Sequence, residues 1–427
     1  MLFFYIFSLF FYRIFLHLAA FFHPKAKSWV NGRTNLFSKL EQQLKTSSYQ
    51  LPTQKIWFHC ASLGEFEQGR PLIEKIKSEQ PNAQIILTFF SPSGYEIRKN
   101  YALADHVFYL PLDSKKNAKR FLDLVQPTAV IFVKYEFWYH YLNELQERKI
   151  PTYLISAIFR ESQPFFKWYG GLHRKILTFF MHLFVQNSTS VDLLQSVDIQ
   201  KVTKAGDTRV DRVNGIASQA KQFPLIEQFL RTKKVLIAGS TWAADEAILV
   251  DFINKNPTLD WQFIFAQHEV NRTNVERLRK LFEVEVVLYS ELVNRVDEAQ
   301  VGDAAPARTV DGDKVLVIDN IGMLSALYQY GKLAYIGGGF GKAIHNILEP
   351  IAFGIPVLFG PNHTGFHEAL ALKESGGGFV IHSKDEFAAR FSELEHTDFY
   401  QKSAEQAENY IESNLGATEA IYEHIFL

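Results

Sequence analysis

Residues 333–361, LAYIGGGFGKAIHNILEPIAFGIPVLFGP, read as a strand that breaks on Gly337-Gly338-Gly339 and then runs into a helix start. Proline is tolerated only in the first turn of a helix, so Pro350 puts that start close to Asn346. Asn346 and Glu349 have capping-box spacing, which supports the same start. A glycine-rich loop feeding a helix N-terminus exposes unpaired N–H groups and partial positive charge, a combination suited to phosphate. Two better-known phosphate loops are excluded. After Gly339-Phe340-Gly341 the third glycine of a dinucleotide fingerprint would fall at Ile344, and no Gly-Lys-Ser/Thr follows for a Walker loop. On local grounds a tight strand–helix turn with ordinary capping remains the other reading.

Short apolar runs bounded by Gly, Pro and Ser extend outward from this stretch on both sides. Val235–Ala238, Gln262–Ala266, Val284–Leu288, Val315–Ile318, Leu333–Ile336 and Val357–Phe359 form one series. Lys55–Cys60, Ile85–Phe90, His106–Leu110, Thr128–Val133, Thr152–Ser156 and His182–Val185 form an earlier one. Runs this short, separated by helical patterns, predict parallel strands with crossover helices. A polar helical stretch near 215–233 joins two successive α/β halves, and 295–313 reads as a flexible surface loop.

The chain has 427 residues, long enough for two domains, and its 47% hydrophobic content is ample for two cores. A net charge of −1 gives no field that would draw it to nucleic acid. Its single cysteine, Cys60, excludes an internal disulfide and a multi-cysteine metal site. Residues 1–22, MLFFYIFSLFFYRIFLHLAAFF, are nearly all apolar or aromatic, interrupted by Arg13 and His17. No basic region precedes the apolar run, so a cleaved signal peptide is not expected. A spanning helix needs about 20 apolar residues and carries a penalty for a central arginine. An interfacial helix avoids most of that penalty by letting Arg13 and His17 snorkel. Lys25, Lys27 and Arg33 follow, which places the rest of the protein on the cytoplasmic side in either geometry.

Several polar residues sit just beyond strand ends, where ligands bind in α/β sheets. Ser240 and Thr241 follow one strand, and their hydroxyls suit an anion, although Gly-Ser-Thr after a strand is common. His268 follows another, where a lone histidine also has a structural reading. Glu65 stands where it could accept a proton from an attacking hydroxyl, but Ser62-x-x-Glu65 is equally a capping box. Glu136, after TAVIFV, is open to the same two readings. The segment 159–180 mixes aromatics with Arg160, Lys167, His173, Arg174 and Lys175. That composition fits either a surface touching membrane or anionic acceptor, or a core helix with a basic solvent face.

Taken together, WFHCASLGEFEQGRPLI, TFFSPSGYE, KYEFWYHYL, ISAIFRES, AGSTWAADEAIL and the run from DNIGMLSALYQYG through IGGGFGKAIHNILEPIAFGIPVLFGP resemble the Kdo transferases. Those enzymes attach 3-deoxy-D-manno-octulosonic acid (Kdo) to the lipid A precursor. The matching segments cover nearly the whole of 50–370 in the family's order and spacing. The resemblance implies an α/β fold of GT-B type, two Rossmann-like domains facing a central cleft, with an N-terminal membrane-associating helix. The expected divisions are a hydrophobic segment 1–30, an acceptor-side domain 31–215, a nucleotide-sugar donor domain 216–400, and a helix in 401–427 returning to the first domain.

The resemblance also implies roles. Glu65 matches the family's proposed general base, and Glu136 the glutamate of its E-x-x-W-like tract. Ser240, Thr241, His268, Gly337, Gly338, His345, Asn346 and Glu349 map onto the donor site, with Glu349 at the ribose. Arg160, Lys167 and Arg174 are the candidate acceptor contacts. CMP-Kdo enters as co-substrate, with no cofactor and no metal expected, and a lipid A precursor at the inner membrane's cytoplasmic face is the acceptor. Many members read Pro-Arg-His where this chain has Ala266-Gln267-His268, so an arginine is missing and Arg272 is the guess for its replacement. Many read Gly-Gly-His-Asn where this chain has Ala343-Ile344-His345-Asn346. The alternatives are another GT-B enzyme, such as a UDP-sugar transferase or an epimerase, and a catalytically silent membrane-bound sugar-binding protein.

Overall fold

A computed structural model describes residues 2–46, 54–231, 234–294 and 314–427. The stretch 295–313, expected as a surface loop, lies outside the described residues. The chain divides into two compact units, Met1–Asp211 with Leu415–Leu427, and Arg212–Asn414.

In the first unit seven strands pair in parallel in the order β3-β2-β1-β4-β5-β6-β7. They are β1 (Lys55–Cys60), β2 (Gln84–Phe89), β3 (His106–Tyr109), β4 (Ala129–Val133), β5 (Thr152–Ala157), β6 (His182–Val185) and β7 (Val202–Lys204). The second unit repeats the plan as β10-β11-β9-β8-β12-β13-β14. Its strands are β8 (Val235–Thr241), β9 (Gln262–Gln267), β10 (Val286–Leu288), β11 (Val315–Ile318), β12 (Leu333–Ile336), β13 (Val357–Phe359) and β14 (Gly378–Val380). The central strands are buried along nearly their whole length, as expected for sheets covered by helices on both faces.

Strand order reverses beside β1, where β4 joins it, and beside β8, where β12 joins it. In open α/β sheets the crevice beyond the carboxyl ends of such strands is where ligands bind. Every expected strand is present with slightly shifted ends. β7 and β14 were not expected, and both are three-residue edge strands.

The helix Leu2–Ala19 is long and apolar enough to cross a membrane. It lies against the first unit along one stripe. The Tyr5 hydroxyl donates to Asp113 Oδ2 at 2.6 Å, and Tyr12 stacks on Phe90 and meets Trp29 edge-on. The remaining faces expose Phe3, Phe4, Phe7, Phe10, Phe11 and Phe15, continued by Phe21 and Phe22.

At the other end of the chain the division differs from the expected 400/401. The helix Thr397–Glu412 stays with the second unit, and only the helix Ala417–Phe426 belongs to the first. Asp211 fixes that return by accepting the amides of Gly416 (2.7 Å) and Thr418 (2.6 Å). Ile421 and Tyr422 are buried against the helix Leu63–Glu79, where Lys75 pairs with Glu419 at 2.8 Å.

Asp113 is buried and also accepts the amides of His140 (3.0 Å) and Tyr141 (3.1 Å). Asp113→Ala strands two amides and a hydroxyl together, and should lower stability in urea unfolding by about 2–3 kcal/mol. Tyr5→Phe removes the bond to Asp113 and the longer one accepted from the Tyr139 amide (3.3 Å), and should lower it by about 1–2 kcal/mol. Equal losses would show that Asp113 serves only to dock the N-terminal helix.

Candidate active site

A cavity of about 310 Å³ opens in the second unit at the carboxyl ends of β8, β9, β11 and β12, beside the reversal of strand order. Ser240, His268, His345, Asn346 and Glu349 line it, so five residues chosen from sequence converge on one space. With Gly239 and Ile336, four residues from the turn and short helices after β11 complete the wall, and these four, Gly322, Leu324, Ser325 and Tyr328, were not singled out from sequence. Their signal was present, since they too follow a strand's carboxyl end, in the segment DNIGMLSALYQYG.

β8 is irregular where it meets the cavity. Its register against β9 shifts between Gly239 and Thr241, and Ser240 has a left-handed backbone with φ 54°. Such a bulge re-aims a side chain, and here it brings Ser240 to the wall. Gly239 leaves room for Tyr328, because a Cβ there would lie 2.0 Å from the Tyr328 hydroxyl.

The glycine turn does something other than cradle an anion. Gly337 and Gly338 are buried behind the cavity and are not among its lining residues. The Gly337 amide donates to Gly239 O at 2.9 Å, and the Gly338 amide to Asp245 Oδ2 at 2.9 Å. A Cβ on Gly337 would meet Ser240 O at 2.2 Å, and one on Gly338 would meet Ala343 O at 2.4 Å. Close backbone approach therefore accounts for these glycines, and their amides are already used. Thr241 is likewise inside, its hydroxyl donating to Glu246 Oε1 at 3.2 Å.

The expected helix start at Asn346 is also corrected. The helix is the single turn Leu348–Ile351, with Pro350 inside it. Asn346 precedes it, accepting the Leu348 amide at 3.2 Å and donating to Glu349 Oε1 at 2.9 Å. Its own amide has no acceptor among the described residues. One turn of helix supplies little dipole, so any anion here would have to be met by the polar side chains and the loop 345–347.

Asp245 holds the arrangement together. Its Oδ2 accepts the amides of Trp242 and Gly338, each at 2.9 Å, and its Oδ1 accepts the Tyr335 hydroxyl at 3.0 Å. Burial, with Glu246 adding to it, holds its carboxyl above the usual carboxylate range, and the three hydrogen bonds offset only part of that rise. Nearby, Glu246 is fully buried and bonded to Gln267 Nε2 (2.7 Å) and to the Arg277 guanidinium. The cation in this region is therefore Arg277. Arg272, the expected replacement, is exposed at the start of its helix and away from the cavity.

In the first unit Glu65 stands beyond β1 in the first turn of the helix Leu63–Glu79, partly exposed. Ser62 accepts the Gly64 amide at 3.3 Å and gives its own proton to Glu65 Oε2. The bond that would complete a capping box, from the Ser62 amide to the Glu65 carboxylate, is absent among the described residues. The carboxylate is oriented by a hydroxyl, and its other oxygen has no hydrogen-bond partner among the described residues.

Glu136 contrasts with it. It is buried, and its Oε2 takes Trp138 Nε1 at 2.5 Å and His59 Nε2 at 2.9 Å. The fully buried His59 reaches Thr88 Oγ1 at 2.9 Å on its far side. This network ties the turn after β4 into the core.

Arg160 is exposed and pairs with the Tyr135 hydroxyl. Arg174 is drawn inward, donating to Phe165 O (3.0 Å) and Lys167 O (2.9 Å), which makes it a brace for its own loop. Lys167 is partly exposed, and the loop's outer surface beside it is Trp168, 92% exposed, with Tyr169.

Residues 34–212 match the family model described as 3-deoxy-D-manno-octulosonic-acid transferase (kdotransferase). A 3-deoxy-D-manno-octulosonic acid transferase from Aquifex aeolicus is 29% identical over 351 residues, 79% of this chain and 85% of that one. The enzyme of the same name from Haemophilus influenzae is 26% identical, covering 75% of this chain and 74% of its own. Among solved structures, UDP-GlcNAc 2-epimerase from Neisseria meningitidis superposes with a TM-score of 0.57 at 16% identity, covering 86% of this chain and 98% of that one. That likeness shows a shared GT-B-like fold of two parallel-sheet α/β domains.

Asp245→Asn replaces an acceptor with an amide that cannot accept from three donors at once. It should cost about 2–3 kcal/mol in equilibrium unfolding. Tyr335→Phe, which removes one of the three bonds, should cost about 1 kcal/mol. A neutral Asp245→Asn would mean that the turn after β12 is held by packing alone.

Proposed function

We propose that this chain, which is similar to Kdo transferases over most of its length, is a glycosyltransferase of lipopolysaccharide biosynthesis that moves Kdo from CMP-Kdo to a lipid A precursor, with inversion and without a metal. The observation that carries this reading is the convergence of Ser240, His268, His345, Asn346 and Glu349 on one cavity at a sheet's switch point. A cavity of this size with a few convergent polar groups suits a small nucleotide-sugar. Hydroxyls, an imidazole and an amide offer neutral donors to phosphate oxygens, and Glu349 offers an acceptor to ribose hydroxyls.

In the proposed reaction the acceptor hydroxyl gives its proton to Glu65 as its oxygen bonds to the anomeric carbon of Kdo. The bond from that carbon to the CMP phosphate oxygen breaks, and CMP departs with the electron pair. A single displacement inverts that carbon. Glu65 suits the base role because Ser62 orients one carboxylate oxygen while the group stays partly exposed. Glu136 supports its turn from within the core.

For the acceptor, the exposed Trp168 and Tyr169 beside Lys167 and Arg160 pair apolar surface with positive charge. The N-terminal helix is proposed to lie in the membrane interface with its phenylalanines in the lipid. Lys25, Lys27 and Arg33 favour the cytoplasmic face.

Glu65→Gln should lower transfer from CMP-Kdo to lipid A precursor by about 100-fold or more with its thermal midpoint unchanged. Full turnover, accompanied by a stability loss of about 1 kcal/mol, would make Glu65 a capping residue instead. Transfer should persist in EDTA, and loss reversed by a divalent cation would overturn the metal-free reading. Stabilisation against heat by UDP-sugars in preference to CMP-Kdo would overturn the donor. Mass spectrometry of the lipid product identifies the sugar and counts the residues added.

A further inference from the structure

Beside the proposed donor cavity stand three rings whose arrangement has a chemical consequence. The Trp242 and His345 rings lie nearly in one plane, 13° apart with centroids separated by 6.5 Å. They meet edge to edge, with Trp242 Nε1 3.0 Å from His345 Nε2. The His268 ring stacks across the pair, 4.7 Å from Trp242 at 27° and 4.2 Å from His345 at 21°.

Two backbone features hold this pose. The Trp242 amide is fixed by Asp245, which also fixes the Gly338 amide. Gly338 has φ +90°, and a Cβ on it would lie 3.0 Å from His345 Cδ2 and 3.2 Å from Nε2, so its bare backbone admits the imidazole.

An indole N–H only donates, so the ring nitrogen it faces must be the acceptor. A neutral imidazole with its Nε2 lone pair occupied carries its proton on Nδ1. We propose that Trp242 is a positioning residue, holding His345 as the Nδ1–H tautomer so that it presents one fixed hydrogen-bond donor at the cavity to a phosphate oxygen of the sugar nucleotide. The identity of that oxygen rests on the donor reading above. The tautomer does not.

His345 lines the cavity, and its Nδ1 has no protein partner among the described residues. Protonation would place an N–H on Nε2 directly against the indole N–H. Burial, with His268 alongside, lowers His345 to about 4, so it stays neutral at physiological pH. Of the other ionisable groups on the wall, Glu349 is directed to Asn346 and Tyr328 is buried with its hydroxyl at Gly239. A neutral donor whose tautomer is already set costs no reorganisation when charge develops on the leaving phosphate.

The test uses the full chain labelled with ring-15N histidine, with His345→Gln to assign the signal. At pH 7 His345 should show a protonated Nδ1 and a bare Nε2. Trp242→Phe keeps an aromatic ring but loses the N–H. The Nε2–H form should then appear, the His345 pKa should rise from about 4 toward its ordinary value, and the Kd for CMP should rise about tenfold. An Nε2–H tautomer in the unmutated protein needs no variant to be read, and it overturns the proposal whatever the enzyme's activity. So does a tautomer unchanged in Trp242→Phe. If the tautomer is as stated but CMP affinity ignores both Trp242→Phe and His345→Gln, the assigned use of the proton is overturned and the donor site lies elsewhere.

Discussion

The site in the second unit depends on one buried carboxylate. Asp245 lies at the start of the helix Ala243–Lys255, which leaves β8, and it takes the amide of Gly338 from the turn that leaves β12. Those two strands are neighbours where the sheet reverses its order; their ladder runs as far as the Gly337 amide on Gly239 O, and Asp245 ties the exit loops beyond it. An ionised acceptor serving two amides and a phenol makes charge-assisted bonds, and burial removes competing water. Ser240 reaches the wall, and His345 fits over Gly338, because the two loops are locked at this separation. The close contact of Gly337 with Ser240 is the steric side of the same lock.

Much of this architecture was legible in the sequence, and the failures have physical causes. Continuous apolar runs such as KIWFHC and QFIFA announce central strands because both faces are buried. Val202–Lys204 and Gly378–Val380 escaped because an edge strand of three residues needs neither an apolar run nor alternation. Residues at strand ends were found readily, since Ser240, His268, His345, Asn346 and Glu349 all reach one cavity. Gly337 and Gly338 were given the wrong task, because a glycine that exposes its amide and one that admits a neighbouring backbone look alike in sequence. Trp242 and Asp245 were invisible for the opposite reason. Their partners lie about ninety or more positions away, in a loop whose approach only the fold sets.

The departure at Gln267 shows how a buried charge constrains substitution. Glu246 is fully buried, and an isolated carboxylate there would be costly. An arginine at 267 would supply both charge and hydrogen bonds. Glutamine supplies a hydrogen bond at 2.7 Å and no charge, and the Arg277 guanidinium supplies the charge from the helix Arg272–Arg279. Sequence proximity suggested Arg272, but that side chain opens the helix and points to solvent, whereas Arg277 lies beyond it on the inward side with Val275 and Leu278 buried nearby. The charge facing Glu246 thus comes from Arg277 rather than from the expected Arg272, and among the described residues the cavity wall carries no lysine or arginine.

The N-terminal helix poses a choice that its composition leaves open and on which its contacts bear. Burying its phenylalanines in lipid is worth roughly 1.5–3 kcal/mol each, whether the helix spans or lies flat. The apolar surface therefore does not discriminate between the two geometries, and the polar groups must. Spanning would pull Tyr5 from the buried Asp113 and Tyr12 from Phe90 and Trp29. It would also carry Arg13 toward the bilayer centre, at about 2.5–3.5 kcal/mol on insertion scales. Lying flat keeps the docked stripe intact and leaves Arg13 and His17 at headgroup level. One face bonded to a folded unit and the others coated with phenylalanine are the observations behind the interfacial geometry proposed for this helix.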